Sequence, residues 1–167
     1  DKVPPEMLHL VDPHWYQFAP MNPLWHALLG LVIGILGLIS IIGNGMVIYI
    51  FTTTKTLRTP SNLLVINLAV SDFFMMIAMS PAMVVINCYY ETWVLGPLFC
   101  ELYAMAGSLF GSGSIWTMTM IAFDRYNVIV KGLSAKPMNT NGALIRIFGI
   151  WFFSLAWTIA PMFGWNR

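Results

Sequence analysis

Ile115-Trp116-Thr117-Met118-Thr119-Met120-Ile121-Ala122-Phe123 carries no charge and runs straight into Asp124-Arg125-Tyr126. Charged side chains are costly at the centre of a bilayer and cheap at its edge, so the triplet marks a membrane boundary at the end of an apolar span. An acid–base pair at such a boundary can lock one of two helix arrangements. The triplet also occurs by chance in soluble helices, and its meaning depends on its surroundings.

Those surroundings are apolar. Of the 167 residues, 58% are hydrophobic and 9% charged, and the mean hydropathy is +0.74. Soluble domains carry roughly 25% charged residues, so the composition is that of a membrane protein. The net charge of +1 comes with no basic run or stripe, which leaves nucleic acid without a footprint. At about 20 residues per span, four transmembrane helices and their loops account for the whole length. The first residue is Asp1, and the last two, Asn166 and Arg167, follow an apolar segment. Both ends read as cut, and the expectation is the first part of a longer membrane protein.

The spans are expected at residues 25–51, 62–86, 102–123 and 147–165. The first has no charged residue and makes about 40 Å of helix, enough to cross with some tilt. Pro81 and Pro161 lie near the ends of theirs, where proline kinks or loosens the backbone. Lys55 and Arg58 lie in the 52–61 loop, and Lys131, Lys136 and Arg146 in the segment 124–146, which also holds the triplet. The N-terminal segment 1–24 has Asp1, Glu6 and Asp12 against Lys2, while the turn 87–101 has Glu91 and Glu101 without a base. The positive-inside rule then puts the two basic loops in the cytosol and the N-terminus outside. His14-Trp15-Tyr16 and Trp25 become outer interfacial anchors. Residues 166–167 would open the next outer loop. Cys88 and Cys100 both fall on the outer side, where disulfides persist. They could bridge each other, or one could await a partner beyond residue 167.

Asp72 is the one acid deep inside a span, and an intramembrane carboxylate needs a partner, water or a proton. Asn44, Asn67 and Ser71 are candidates, in a structural node or in ion or proton coupling. Gly43 and Gly45 flank Asn44, and Gly30/Gly34 and Gly107/Gly111 have the small-xxx-small spacing of close helix packing. Gly107, Gly111 and Gly113, with Ser108, Ser112 and Ser114, make the third helix thin enough to border a flat apolar ligand. Met75, Met76, Met79 and Met83 add adaptable thioethers on the second helix. The third helix has no acid between Glu101 and Asp124, so a cationic amine finds no carboxylate there. No Cys/His cluster has zinc spacing, and no phosphate loop or nucleophile elbow occurs, so neither a metal site nor an enzyme is expected.

Gly43-Asn44, Asn67-Leu68-Ala69-Val70-Ser71-Asp72, Trp93 with Gly96 and Cys100, Asp124-Arg125-Tyr126 and Trp151 together resemble the rhodopsin-like G-protein-coupled receptors. His14-Trp15-Tyr16, Glu91-Thr92-Trp93-Val94-Leu95-Gly96-Pro97, the run from Asp124 to Gly132 and Trp157-Thr158-Ile159-Ala160-Pro161-Met162-Phe163-Gly164-Trp165 narrow the resemblance to arthropod visual opsins of the long-wavelength insect type. The resemblance implies an all-α membrane protein, the first four helices of a seven-transmembrane bundle. It also implies 11-cis retinal or 3-hydroxyretinal as chromophore, a Gq-class heterotrimeric G protein and arrestin as partners, and the rhabdomeric plasma membrane as location.

Carried over by residue, Cys100 would pair with a cysteine beyond residue 167, leaving the Cys88–Cys100 bridge as the alternative. Arg125 would pair with Asp124 in the dark and, with Tyr126, turn to the G protein after light. Asp72 and Asn44 would share a water network. Tyr103, Gly107, Ser108 and Gly111, with Met79 and Met83, would border the chromophore. Tyr103 stands where vertebrate visual opsins have a glutamate counterion, as is usual in arthropod opsins. A neutral phenol cannot balance a protonated imine, so that charge must come from elsewhere, an acid in the second outer loop. The lysine that binds retinal is expected in a seventh helix, which this chain does not contain. Two alternatives stand beside this reading: a receptor of the same fold for a peptide or lipid ligand, and a transporter or channel subunit using Asp72.

Overall fold

Three of the four long helices begin where a side chain can satisfy a free backbone amide of the first turn, and the third begins at Leu95 without such a cap. In the computed structural model, which describes residues 2–165, two short 3-10 turns, Pro5–Leu10 and Pro13–Gln17, precede four long helices. These are α1 (Pro23–Thr53), α2 (Pro60–Val85), α3 (Gly96–Lys131) and α4 (Thr140–Ile159). Asn22 accepts from the Leu24 amide at 2.9 Å, Thr59 from Asn62 at 3.3 Å and Asn139 from Gly142 at 2.7 Å, and each is an N-cap. Pro23 and Pro60 take the first helical position, where a missing N–H costs nothing. α2 runs through Pro81 and widens into a π-type turn over Ile86–Tyr90, closed by Glu91 N–H to Ile86 O at 2.7 Å.

The helices outrun the apolar windows of the sequence. α3 was expected over 102–123 with the triplet in the following loop; instead it continues to Lys131, and Asp124, Arg125 and Tyr126 are helical. α4 begins at Thr140, well before residue 147, and the outer turn is reduced to a few residues after Tyr90. Hydropathy registers the thickness of the apolar layer, whereas a helix continues until a cap or breaker stops it. Here the stops are Gly132, at φ 51°, and the Asn139 cap. Residues 166–167, expected to open the second outer loop, lie outside the described residues.

The packing is antiparallel and sequential. Along α1 and α2, Gly30 faces Cys88, Gly34 faces Val84, Gly37 faces Ser80 and Gly45 faces Phe73. Along α2 and α3, Ser61 meets Asp124, Asn67 meets Thr117, Asp72 meets Ser114 and Met79 meets Gly107. Along α3 and α4, Trp116 meets Phe153 edge-on at 5.3 Å, and Gly113 lies under the Trp151 ring. Gly43, expected to admit another backbone, meets nothing within 4 Å of an added Cβ.

Much of what is buried between the helices is small or polar, Ala69 and Ala143 beside Asn67, Ser71, Thr117, Ser154 and Thr158, with Leu64, Ile86 and Ile150 as the large apolar exceptions. Large apolar side chains such as Leu31, Leu36, Leu38 and Ile39 face outward. This inversion suits lipid, which solvates leucine as well as a core does and leaves close packing and interhelical hydrogen bonds to hold helices together. Among the described residues three stretches are long and apolar enough to cross a membrane: Pro23–Thr53, Pro60–Tyr90 and Thr140–Phe163. α3 is not among them, although the third of the four expected spans, 102–123, falls in it. Its glycines, serines and threonines lower its hydropathy because they serve contacts with α2 and α4 on either side. The N-terminal segment is tied down by a Lys2–Glu91 ion pair and by buried Met7.

Candidate functional site

A ladder of polar contacts joins α2 to α3 and reaches α4. Asn67 is its hub. Its amide nitrogen donates to Thr117 Oγ1 at 2.8 Å, and its carbonyl oxygen accepts from Trp151 Nε1 at 2.8 Å. Thr117 Oγ1 in turn donates to Gly113 O at 2.6 Å, and Ser71 Oγ donates to Phe110 O at 2.8 Å. One buried amide therefore holds three helices in register. Asn67→Leu removes both bonds and leaves the Trp151 N–H unpaired inside the bundle. The expected cost is about 1–2 kcal/mol, read as a lower thermal midpoint of the purified receptor.

Asp72 lies one turn further along. Its Oδ1 accepts from Ser114 Oγ at 2.5 Å, a short bond across the α2–α3 contact. Asn44, the partner expected from sequence, is turned back on its own helix, where Nδ2 donates to Ser40 O at 2.9 Å and Ser40 Oγ at 3.1 Å. The structure therefore does not join Asp72 and Asn44 directly.

At the far end of α3, Asp124 is buried and Oδ2 accepts from Ser61 Oγ at 3.0 Å. The expected Asp124–Arg125 pair is not made; among the described residues the one ion pair is Lys2–Glu91. Helix geometry explains this. Successive side chains diverge by about 100°, so neighbours in sequence do not face each other. Asp124 points at α2 while Arg125 and Tyr126 are exposed.

The residues expected around a chromophore divide between two faces of α3. Tyr103, Gly107 and Gly111 recur every four residues and form one stripe. Tyr103 is half-buried, its ring 5.3 Å from that of Trp93. Gly107 is filled from α2, since a Cβ there would sit 2.7 Å from the methyl of Met79. Gly111 is open, with nothing within 4 Å of an added Cβ. Met83 lies one turn beyond Met79, with its sulfur 3.7 Å from Asn87 Nδ2. Ser108 is turned the other way, into a cleft of about 190 Å³ between α3 and α4 that Glu101, Met105 and Thr158 also line.

Cys88 and Cys100 are both free and exposed, so the Cys88–Cys100 bridge, held open as an alternative, is not formed. Cys88 packs against Gly30 on α1 while Cys100 sits in the first turns of α3. Sequence reasoning missed Ser61, Ser114 and Thr117 as partners. A signal for two of them was present: Ser114, Thr117 and Asp124 fall on one helical face, the face a polar neighbour would need.

The comparisons agree with this geometry. Residues 43–167 match the model of the 7 transmembrane receptor (rhodopsin family). The chain is 87% identical over its full length to a rhodopsin of Cataglyphis bombycina and 76% identical to the long-wavelength rhodopsin of Apis mellifera. It spans 44% of the length of each. The crystal structure of squid rhodopsin superposes with a TM-score of 0.91 at 42% identity, covering 98% of this chain and 46% of the squid chain. These are multi-pass membrane receptors and not an enzyme family, and the polar ladder, the α3 triplet and the antiparallel order of four helices lie within the matched region. This chain belongs to the rhodopsin family of seven-transmembrane receptors.

Proposed function

We propose that the chain is the first half of a visual pigment, a light-activated receptor that binds 11-cis retinal or 3-hydroxyretinal and signals to a Gq-class G protein. The observation that carries this reading is the 87% identity to a rhodopsin along the whole chain. The structure adds a physical reason. The stripe Tyr103, Gly107, Gly111 continues down the same face of α3 to Met118 and Arg125, so one helix face links a thin outer half to the exposed arginine. Gly111 gives that face an open notch, which suits a flat polyene lying against backbone. Retinal, when bound, supplies the absorption of visible light and the cis-to-trans change of shape.

This chain's own residues hold and transmit. Met79, Met83, Tyr103, Gly107, Ser108 and Gly111 border the chromophore, each from the position described above. Asp72 and Asn44 act through ordered water, as neither reaches the other directly. Asp124, anchored on Ser61, fixes the end of α3 and leaves Arg125 and Tyr126 free for the G protein. The lysine that would bind retinal belongs to a later segment: Lys2, Lys55, Lys131 and Lys136 all lie outside the apolar helix interiors. The ends carrying Lys55 and Arg58, and Lys131, Lys136 and Arg146, face the cytosol, with the N-terminus outside. Arrestin binds the same cytosolic surface after activation, and the site of action is the rhabdomeric plasma membrane.

The test is nucleotide exchange on a purified Gq-class heterotrimer by the full-length receptor reconstituted with retinal. Exchange that rises on illumination is the expected result. Exchange equal in dark and light, from a receptor able to bind the G protein, would point instead to a diffusible ligand.

A further inference from the structure

Arg146 stands where two clefts meet. The first is apolar, about 270 Å³, at the α3–α4 contact, and Trp116, Met120, Gly149 and Phe153 line it. An added Cβ at Gly149 meets nothing within 4 Å, so the groove has a notch at its middle. The second cleft, about 340 Å³, lies between the end of α3 and the start of α4 and holds Lys136 together with Arg146. The Arg146 guanidinium lies 6.0 Å over the Phe123 ring and donates from Nη1 to Met138 Sδ at 2.7 Å. It makes no ion pair among the described residues. Asp124, the acid lining the second cleft, is engaged by Ser61.

We propose that these joined clefts bind one anionic phospholipid, its phosphate at Arg146 and Lys136 and one acyl chain along the Trp116–Phe153 groove. Charge decides the occupant. Two cations beside a single committed acid attract a headgroup of net negative charge and repel the ammonium of a zwitterionic one. Arg146 offers a planar fork of donors matched to phosphate oxygens, and most of that fork is unused. The groove beside it presents aromatic rings and an open glycine, which take an alkyl chain and give water no partner. The placement rests on the membrane orientation proposed above, in which this end of α3 and α4 lies at the headgroups.

The experiment uses the full-length receptor in nanodiscs of equal parts phosphatidylcholine and phosphatidylserine, with retained lipids counted by native mass spectrometry. Phosphatidylserine is expected to be retained about fivefold over phosphatidylcholine, a preference that Arg146→Gln abolishes. Gly149→Leu, which fills the notch without touching the charge, is expected to lower retention of both. Equal retention of the two lipids, or an Arg146→Gln receptor with unchanged preference, overturns the proposal. So does a Gly149→Cys receptor that a membrane-soluble maleimide cannot label, because the groove is then covered by the receptor's own later segments. Light-shifted absorption recorded on each variant shows that it is folded; its absence from the unmodified receptor would count against the visual-pigment reading and leave the lipid counts standing as a separate result.

Discussion

Gly37→Leu is expected to abolish accumulation of folded receptor. Gly37 is buried against Ser80 of α2, and even a bare Cβ would lie 2.5 Å from Ser80 Cβ and closer still to its hydroxyl. Ser80 Cβ is fixed to the backbone, so no rotamer change relieves the contact and the two helices must separate. That separation breaks the bond from Ser80 Oγ to Ile33 O, at 3.1 Å, and loosens the neighbouring glycine contacts at Gly34 and Gly30. Overpacking a close contact costs about 1–3 kcal/mol, and leucine, with three further carbons, belongs at the upper end or beyond. Gly37→Ala is the quantitative version. Paired with Ser80→Gly in a double-mutant cycle, it should show a coupling of about 1–3 kcal/mol in thermal unfolding, since the second change removes the obstacle to the first. Additive effects would mean that the helices do not meet there.

Arg125→Ala is expected to lower G-protein activation by roughly ten- to a hundred-fold while pigment forms normally, the loss corresponding to a charge-assisted hydrogen bond of about 1.5–3 kcal/mol. Arg125 is exposed and makes no ion pair among the described residues, so its removal takes little from the packing of these four helices. Its neighbour behaves differently. Asp124 is buried on Ser61, so Asp124→Asn and Ser61→Ala should resemble each other and disturb the end of α3 rather than release Arg125. Activation assays on the three variants, each first checked for its absorption band, separate the two roles. An Arg125→Ala receptor that fails to form pigment would count against the role assigned to it.

Asp124-Arg125-Tyr126, the basic loops and the apolar windows announced a membrane bundle because each reports directly on the cost of charge in lipid. Helix ends were less legible. Asn139 and Gly132 set them through hydrogen bonding and backbone conformation, to which hydropathy is blind. The partner of Asp72 was hidden for a different reason: Ser114 becomes its neighbour only once the register of α2 against α3 is known. Asn67 stood in plain view as part of a motif, but nothing in its own segment says that its two ends reach Thr117 and Trp151. The glycine spacing at Gly30 and Gly34 reads as close helix packing without naming α2 as the partner, and it stops short of Gly37, which lies just off that repeat. Gly107 and Gly111 read alike in sequence and differ in the fold, one filled by Met79 and the other open.

The most direct test of the visual-pigment reading is an absorption spectrum of the full-length receptor, expressed, incubated with 11-cis retinal in the dark and then illuminated. A visible band that forms in the dark and shifts on illumination is the predicted result. A folded receptor in the membrane that forms no such band would contradict the account, leaving the fold as described and a diffusible ligand in place of light.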